Sequence, residues 1–466
     1  MDKQRRATQD AAGAAPTHCS AWAIFLIFLR LGLSSFGGPI AHLGYFRTEF
    51  VEKRRWLSEH AYADLVALCQ FLPGPASSQV GMALGFSRGG YAGALAAWLG
   101  FTLPSAIALI LFALGLARHA ELLPAGALHG LKVVAVAVVA QAVWGMARTL
   151  CTDVLRVSIM AIAACAALAL PSAWGQVGII LVAGFVGLLW FAPPPPGVCR
   201  TLGVDSENAP QRGQFLPDSQ PHSGAMGQEA GKKWAAAAHS QPTIPKSDRL
   251  LGHMGLSIAM GRRAGAAWLA LFFALLLGLP ALAAAWPSQT LALVDAFYRA
   301  GALVFGGGHV VLPLLQAEVV PPGWVSQEAF LAGYGAAQAV PGPLFTFAAF
   351  LGASMNVAPS GWWGGLLCLA AIFAPSFLLI LGALPFWELL RHDGRARKAL
   401  FGINAAVVGL LLAALYTPVW TSAILAPQDF GLALLALVAL MFWRLPPWLV
   451  VLGSGLLGSL LGAWGA

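Results

Sequence analysis

The chain has 466 residues, of which 58% are hydrophobic and 10% charged, with a mean hydropathy of +0.74. That leaves too little polar surface to coat a water-soluble protein of this length, so the membrane class follows. The net charge of +8 does not point to nucleic acid, because the basic residues sit in short clusters beside apolar runs and leave no charged face between them.

In chain order, a polar tail over 1–20 leads into apolar sequence without a small-residue cleavage site, which predicts a retained cytoplasmic tail. Apolar stretches near 21–43, 62–86, 91–117, 123–147, 153–170 and 172–192 form a first half. Their lengths are near the roughly 20 residues that a helix needs to cross the hydrocarbon core. From 193 to 250 the chain turns rich in Pro, Gly, Ser, Gln and charge, starting with Pro193-Pro194-Pro195-Pro196, and reads as a polar linker. A second half over 251–466 has candidate segments near 264–287, 291–315, 327–353, 361–386, 400–420, 428–443 and 446–464. With some short or re-entrant, about ten to thirteen membrane segments are expected.

Basic clusters occur at Lys3, Arg5 and Arg6, at Lys53-Arg54-Arg55, at Arg262-Arg263 and from Arg391 to Lys398. The first two flank the 21–43 stretch on both sides. The preference for Lys and Arg on the cytoplasmic side would keep both flanks inside, which one straight span cannot do. A broken or re-entrant element through Gly37-Gly38-Pro39 resolves the conflict.

The same helix-breaking constellation occurs twice, about 268 residues apart. The first copy is Arg30, Phe36-Gly37-Gly38, Glu49, Gln70 and Pro73-Gly74-Pro75; the second is Arg299, Phe305-Gly306-Gly307, Glu318, Gln338 and Pro341-Gly342-Pro343. Breakers at matched places in two apolar halves read as a duplicated transporter with a site at discontinuous helices. Phe36-Gly37-Gly38-Pro39 combines two residues without side chains and one without an amide hydrogen. Freed N–H groups and a following helix N-terminus there can face an anion, whereas Gly-Gly alone would also serve close helix packing.

Arg30 and Arg299 lie in apolar sequence, so each calls for an aqueous cavity, a carboxylate or an anionic solute, with snorkelling to an interface as the alternative. A guanidinium fork suits a tetrahedral oxyanion. Pro73, Pro75, Pro341 and Pro343 interrupt a second element in each half and leave the amides of Gln70 and Gln338 to bind a ligand or cap the break. Glu49 and Glu318 are proton-coupling candidates. Arg47, Lys53, Arg54 and Arg55 surround Glu49 and favour a salt bridge there, while Glu318 has fewer charged neighbours in sequence. His309, His42 and the lone Lys132, with Asn404 at a related place, are further candidates for lining or coupling.

The six cysteines form no CxxC pair and have no histidines at ligand spacing, so neither metal nor cofactor is expected. No nucleophile motif, HExxH, Walker A loop or dinucleotide fingerprint appears, and the chain is not read as an enzyme.

The runs LRLGLSSFGGPIAHLGYFRTEFVEKRRWLSEHAYADLVALCQFLPGPASSQVG and FYRAGALVFGGGHVVLPLLQAEVVPPGWVSQEAFLAGYGAAQAVPGPLFTFAAFLG resemble the two repeats of the chromate ion transporter family. The likeness extends over both apolar halves. It implies a multi-pass carrier of the inner membrane that exports chromate, with sulfate as the close analogue, and halves of opposite orientation. The family's functional pattern maps onto Arg30, Phe36, Gly37, Gly38, Pro39, Gln70, Pro73, Gly74 and Pro75, and onto Arg299, Phe305, Gly306, Gly307, Gln338, Pro341, Gly342 and Pro343. Gly308 stands where the first half has Pro39. The expected architecture is an all-α polytopic membrane protein of two inverted halves with discontinuous or re-entrant helices. Chromate, sulfate and membrane lipid are its expected contacts, a homodimer is a candidate assembly, and the potential or a proton gradient is its energy source.

Overall fold

A computed structural model describes residues 19–118, 124–191 and 260–464. The N-terminal basic cluster, Cys199 and the expected linker lie outside these residues.

Helix α1 (Ala21–Ser34) starts at Ser20, whose hydroxyl accepts the N–H of Ala23 at 3.2 Å, and stops at Ser35. The chain then reverses. Helix α2 (Gly38–Arg47) runs back along α1, bringing Phe46 and Phe50 to ring-centroid distances of 5.6 and 5.1 Å from Phe28. Helix α3 (Glu59–Phe71), capped by Ser58, enters beside them. It breaks at Pro73-Gly74-Pro75, and the first part of α4 (Ala76–Arg118) returns. The base of this second hairpin is closed by the Arg88 guanidinium, which donates to the Trp56 carbonyl, while Cys19 N–H donates to the Arg88 carbonyl at 3.2 Å. Both hairpins therefore enter from one face, called the first face. The described flanks of the 21–43 stretch lie on the same side because that stretch is a hairpin, a re-entrant element broken at Gly37-Gly38-Pro39. After a kink at Gly89-Gly90, α4 continues past the tips to the opposite face. Helices α5 (Ala125–Leu150), α6 (Val154–Ala169) and α7 (Ala173–Trp190) complete the half.

The second half repeats this plan after an additional helix, α8 (Arg262–Ala285). Helix α9 (Gln289–Ala302) breaks at Leu303–Gly307 and α10 (Val311–Val319) returns; α11 (Gln327–Ala337), capped by Ser326, breaks at Pro341-Gly342-Pro343 and α12 (Phe347–Ala353) returns. The Trp324 carbonyl accepts Asn356 N–H at 2.9 Å, the counterpart of the Arg88–Trp56 closure. There follow α13 (Gly361–Ala383), α14 (Trp387–His392), α15 (Gly394–Ala414), α16 (Pro427–Met441) and α17 (Pro447–Trp464).

The halves point in opposite directions. Trp98 on α4 packs on Phe373 and Phe377 of α13, both at 5.6 Å, whereas Ile110 lies against Gly365 and Leu114 against Gly361. Rising numbers on α4 meet falling numbers on α13, so the hairpins of the second half enter from the second face. The halves also exchange helices: α16 and α17 pack on α5, and α6 and α7 pack on α15. Small residues permit the close approach, Gly126 and Gly130 against Gly458 and Ser454 in one exchange, Gly402 against Ala183 and Gly187 in the other.

Among the described residues, six helices are long and apolar enough to cross a membrane and five apolar helices are shorter. The sequence stretches 21–43, 62–86, 291–315 and 327–353 contribute the hairpins and not straight spans, which is why the long helices are fewer than the apolar runs. Charge is biased between the faces. Lys53, Arg54, Arg55, Arg88, Arg262, Arg263, Arg395 and Lys398 lie toward the first; Arg118, at the end of α4, lies toward the second, whose loops 286–288, 320–326, 354–360 and 424–426 contain no Lys or Arg.

Candidate anion site at the crossed helix breaks

The four breaks meet inside the protein, and each half holds the other. Gly74 N–H donates to the carbonyl of Val304, which precedes Phe305-Gly306-Gly307, at 2.7 Å. Reciprocally, Gly342 N–H donates to the carbonyl of Ser35, which precedes Phe36-Gly37-Gly38, at 2.9 Å. Gly74 and Gly342 have φ of +120° and +104°, in the left-handed region that a side chain disfavours. Ser376 of α13 lies over Gly74 and Ser105 of α4 over Gly342, so a Cβ at either glycine would also displace a serine from the opposite half. The equivalent positions Pro39 and Gly308 face each other: a Cβ on Gly308 would lie 3.4 Å from Pro39 Cγ, an ordinary contact.

Beside this crossing is a cavity of about 110 Å³ lined by Gly37, Gly38 and Pro39 from one half and by His309, Gln338, Gly342 and Leu344 from the other, with Val138 and Gln141 of α5 and Pro447 of α17 as walls. One water needs roughly 10–15 Å³ in this measure, so the space accepts several waters or one tetrahedral oxyanion. Among the described residues its lining holds no charged side chain, and it offers donors. Gly37 and Gly38, with φ of +102° and +79°, turn the chain so that α2 begins at the cavity with its N-terminal amides and the positive end of its dipole. The short helix beginning at Leu344 presents a second N-terminus. The Gln338 Nε2 is buried without a partner, a donor left for a ligand. His309 Nδ1 is 2.8 Å from the Tyr334 hydroxyl. With that hydroxyl donating, the ring's other nitrogen carries the hydrogen still available.

The remaining sequence candidates lie elsewhere. Arg299 is buried and faces carboxylates: Nε and one terminal nitrogen donate to Glu318 at 3.0 and 2.9 Å, and the other terminal nitrogen pairs with Asp295 at 2.8 Å. Its guanidinium carbon is 4.7 Å from the centre of the Trp174 ring. Glu318, which has few charged neighbours in sequence, thus has two in space. Arg30 is exposed on the α1 stripe that carries Trp22, Leu26 and Leu33, and no ion pair holds it among the described residues. Glu49 binds Arg54 at 2.7 Å and Lys53 at 3.5 Å.

Gln70 ends α3 exposed, and Phe36 packs on Trp448 at 6.4 Å. Phe305 packs against the core, and Gly306 and Gly307 abut Met146, with Leu150 and Asn404 also beside Gly306. Lys132 is half-buried on α5, and His42 packs on Ser77 and the Phe101 ring. The cavity thus takes its glycine break from the first half and its glutamine from the second. Gln141, Asp295, Trp174, Ser105 and Ser376 are additions of the structure. Of these, only Asp295 had a local signal, four residues before Arg299 on one helix.

Discontinuous helices from two inverted halves, meeting at a polar cavity inside an apolar bundle, define a membrane transporter. The profile described as "Chromate transporter" matches residues 22–188 and 291–459, and the chain belongs to the chromate transporter family. It is similar to the chromate transport protein of Pseudomonas aeruginosa, 26% identical over 98% of this chain and 96% of that one. A probable chromate transport protein of Synechococcus elongatus is 26% identical over 83% of this chain and 81% of its own length. The chromate transport protein of Cupriavidus metallidurans is 24% identical over 93% and 92%. No solved structure matches.

Proposed function

We propose that this protein exports chromate from the cytoplasm, with the oxyanion held in the cavity at the crossed breaks and the membrane an inner membrane. The observation that carries the reading is the donor-lined, carboxylate-free cavity between tips of oppositely directed halves. In it the amides at the start of α2, Gln338, Gln141 and His309 take the place of the anion's water shell. The names of the relatives supply the substrate class. By the bias of Lys and Arg, the first face is cytoplasmic.

Transport follows from the repeat. If the halves exchange conformations, the first half's Gln70 and Gly74 and the second half's Gly306 and Gly307 form the equivalent cavity after Met146 and Leu150 withdraw, and the site changes the face it opens to. A potential negative inside favours loss of a divalent anion by roughly 4.6 kcal/mol per 100 mV, twice the value for one charge. Sulfate, with the same shape and charge, should compete. Chromate uptake into everted vesicles under an imposed potential, inhibited by sulfate, is the expected result; uptake of sulfate with no chromate movement would replace this reading with that of a sulfate permease.

A further inference from the structure

Asp295, Arg299 and Glu318 form a buried cluster that the anion cavity does not use. Two carboxylates share one guanidinium, so the ionised cluster carries a net negative charge. Its side chains are 11%, 9% and 12% exposed, within the apolar bundle. The carboxylates are unequally held. Glu318 receives two charge-assisted hydrogen bonds in a fork, whereas Asp295 makes a single ion pair from the preceding turn of its own helix. Among the described residues, the surroundings offer no second cation. Trp174 of α7 covers the guanidinium, Phe272 of α8 packs on neighbouring Tyr298, α10 contributes Glu318 alone, and the α13 segment against α9 is apolar around Ile372. The first half lacks the arrangement, because Leu26 occupies the place of Asp295 and, among the described residues, Arg30 has no ion pair.

We infer that Asp295 is the proton-binding group of the transporter: it takes up one proton to neutralise the Asp295–Arg299–Glu318 cluster and releases it during the transport cycle, coupling proton entry to anion exit. The balance is simple. One O–H bond forms on the Asp295 carboxylate and breaks on release, while the Glu318–Arg299 fork stays charged and neutral as a pair. The inference rests on the transport reading above, and its test has a readout independent of transport.

The test uses the full chain in lipid, comparing wild type, Asp295→Asn and Asp295→Glu. Infrared difference spectra across a pH titration are expected to show a protonated-carboxyl band in wild type, shifted in Asp295→Glu and missing in Asp295→Asn. In vesicles with the potential clamped, a pH gradient should drive chromate accumulation by wild type and Asp295→Glu. Asp295→Asn should exchange chromate for chromate within a few-fold of wild type and ignore the gradient. A band that survives in Asp295→Asn, or gradient-driven accumulation by that variant, overturns the proposal, as does chromate transport by wild type without proton movement. If wild type moves no oxyanion under any condition the transport reading fails, and the infrared band still decides whether Asp295 holds the proton.

Discussion

The two halves share one plan yet spend their charged residues differently. In the second half the repeated arginine and glutamate, Arg299 and Glu318, meet as a buried fork. In the first half Arg30 is exposed and Glu49 turns to the loop residues Arg54 and Lys53. The difference traces to two local substitutions: the second half adds Asp295 to the arginine's helix face, and the first half adds Lys53-Arg54-Arg55 to the hairpin base, which captures its glutamate. Duplicated sequence thus supplies a symmetric backbone crossing on which the side chains have divided the work. Among the described residues the first half's Arg30 has no ion pair, and the second half holds a carboxylate pair.

The largest effects are expected where the halves are alike. Gly74→Val and Gly342→Val each force a branched residue into the left-handed region and against a serine of the other half. Each should cost about 3 kcal/mol or more and abolish transport to a similar extent. Melting of the purified variants checks this, and a large effect at one glycine alone would break the symmetry of the crossing.

Next come the paired carboxylates. Glu318→Gln removes one partner of a buried ion pair and should destabilise by about 3–5 kcal/mol, whereas Glu49→Gln breaks pairs whose cations are exposed and should cost about 0–1 kcal/mol. Equal losses in thermal melting would remove the distinction between the halves. Arg299→Ala should likewise lower the melting temperature, while Arg30→Ala should leave it unchanged.

Smaller again is the glutamine contrast. Gln338→Ala deletes a cavity donor and should weaken chromate affinity by roughly tenfold, on the order of 1–1.5 kcal/mol for one hydrogen bond. In the same assay Gln70→Ala, exposed in this state, should change affinity less. The smallest effect is an acid limb of stability from Glu49. Partial burial pushes its carboxyl up, but the hydrogen bond and charge of Arg54, with Lys53, outweigh this and hold it below the ordinary range. Such a group stabilises fully above its unfolded pKa, and the contribution is lost as pH falls through the folded value. Glu49→Gln should therefore flatten the fall in melting temperature at acid pH.

The breaks were legible in the sequence because Gly-Gly and Pro-Gly-Pro inside apolar runs leave the backbone no regular helix, and a broken or re-entrant element was what reconciled the basic residues on both flanks of 21–43. The exchange of α6 and α7 for α16 and α17 was not, since small residues that let helices approach do not name the helix approached. The same holds for the cavity. Gln141 sits in an apolar run like any isolated amide, and only the fold sets it across from Gly37. Two matched arginines suggested a symmetric anion clamp; the folded chain buries one between carboxylates and leaves the other outside the cavity.

The most direct test of the anion site is protection of its wall. In a cysteine-free background, Val138→Cys should react with a membrane-permeant maleimide, and sulfate, which unlike chromate does not oxidise thiols, should slow that reaction several-fold at concentrations that inhibit chromate flux. A reaction rate unchanged by sulfate, in vesicles that still transport chromate, would contradict the placement of the oxyanion between the crossed breaks.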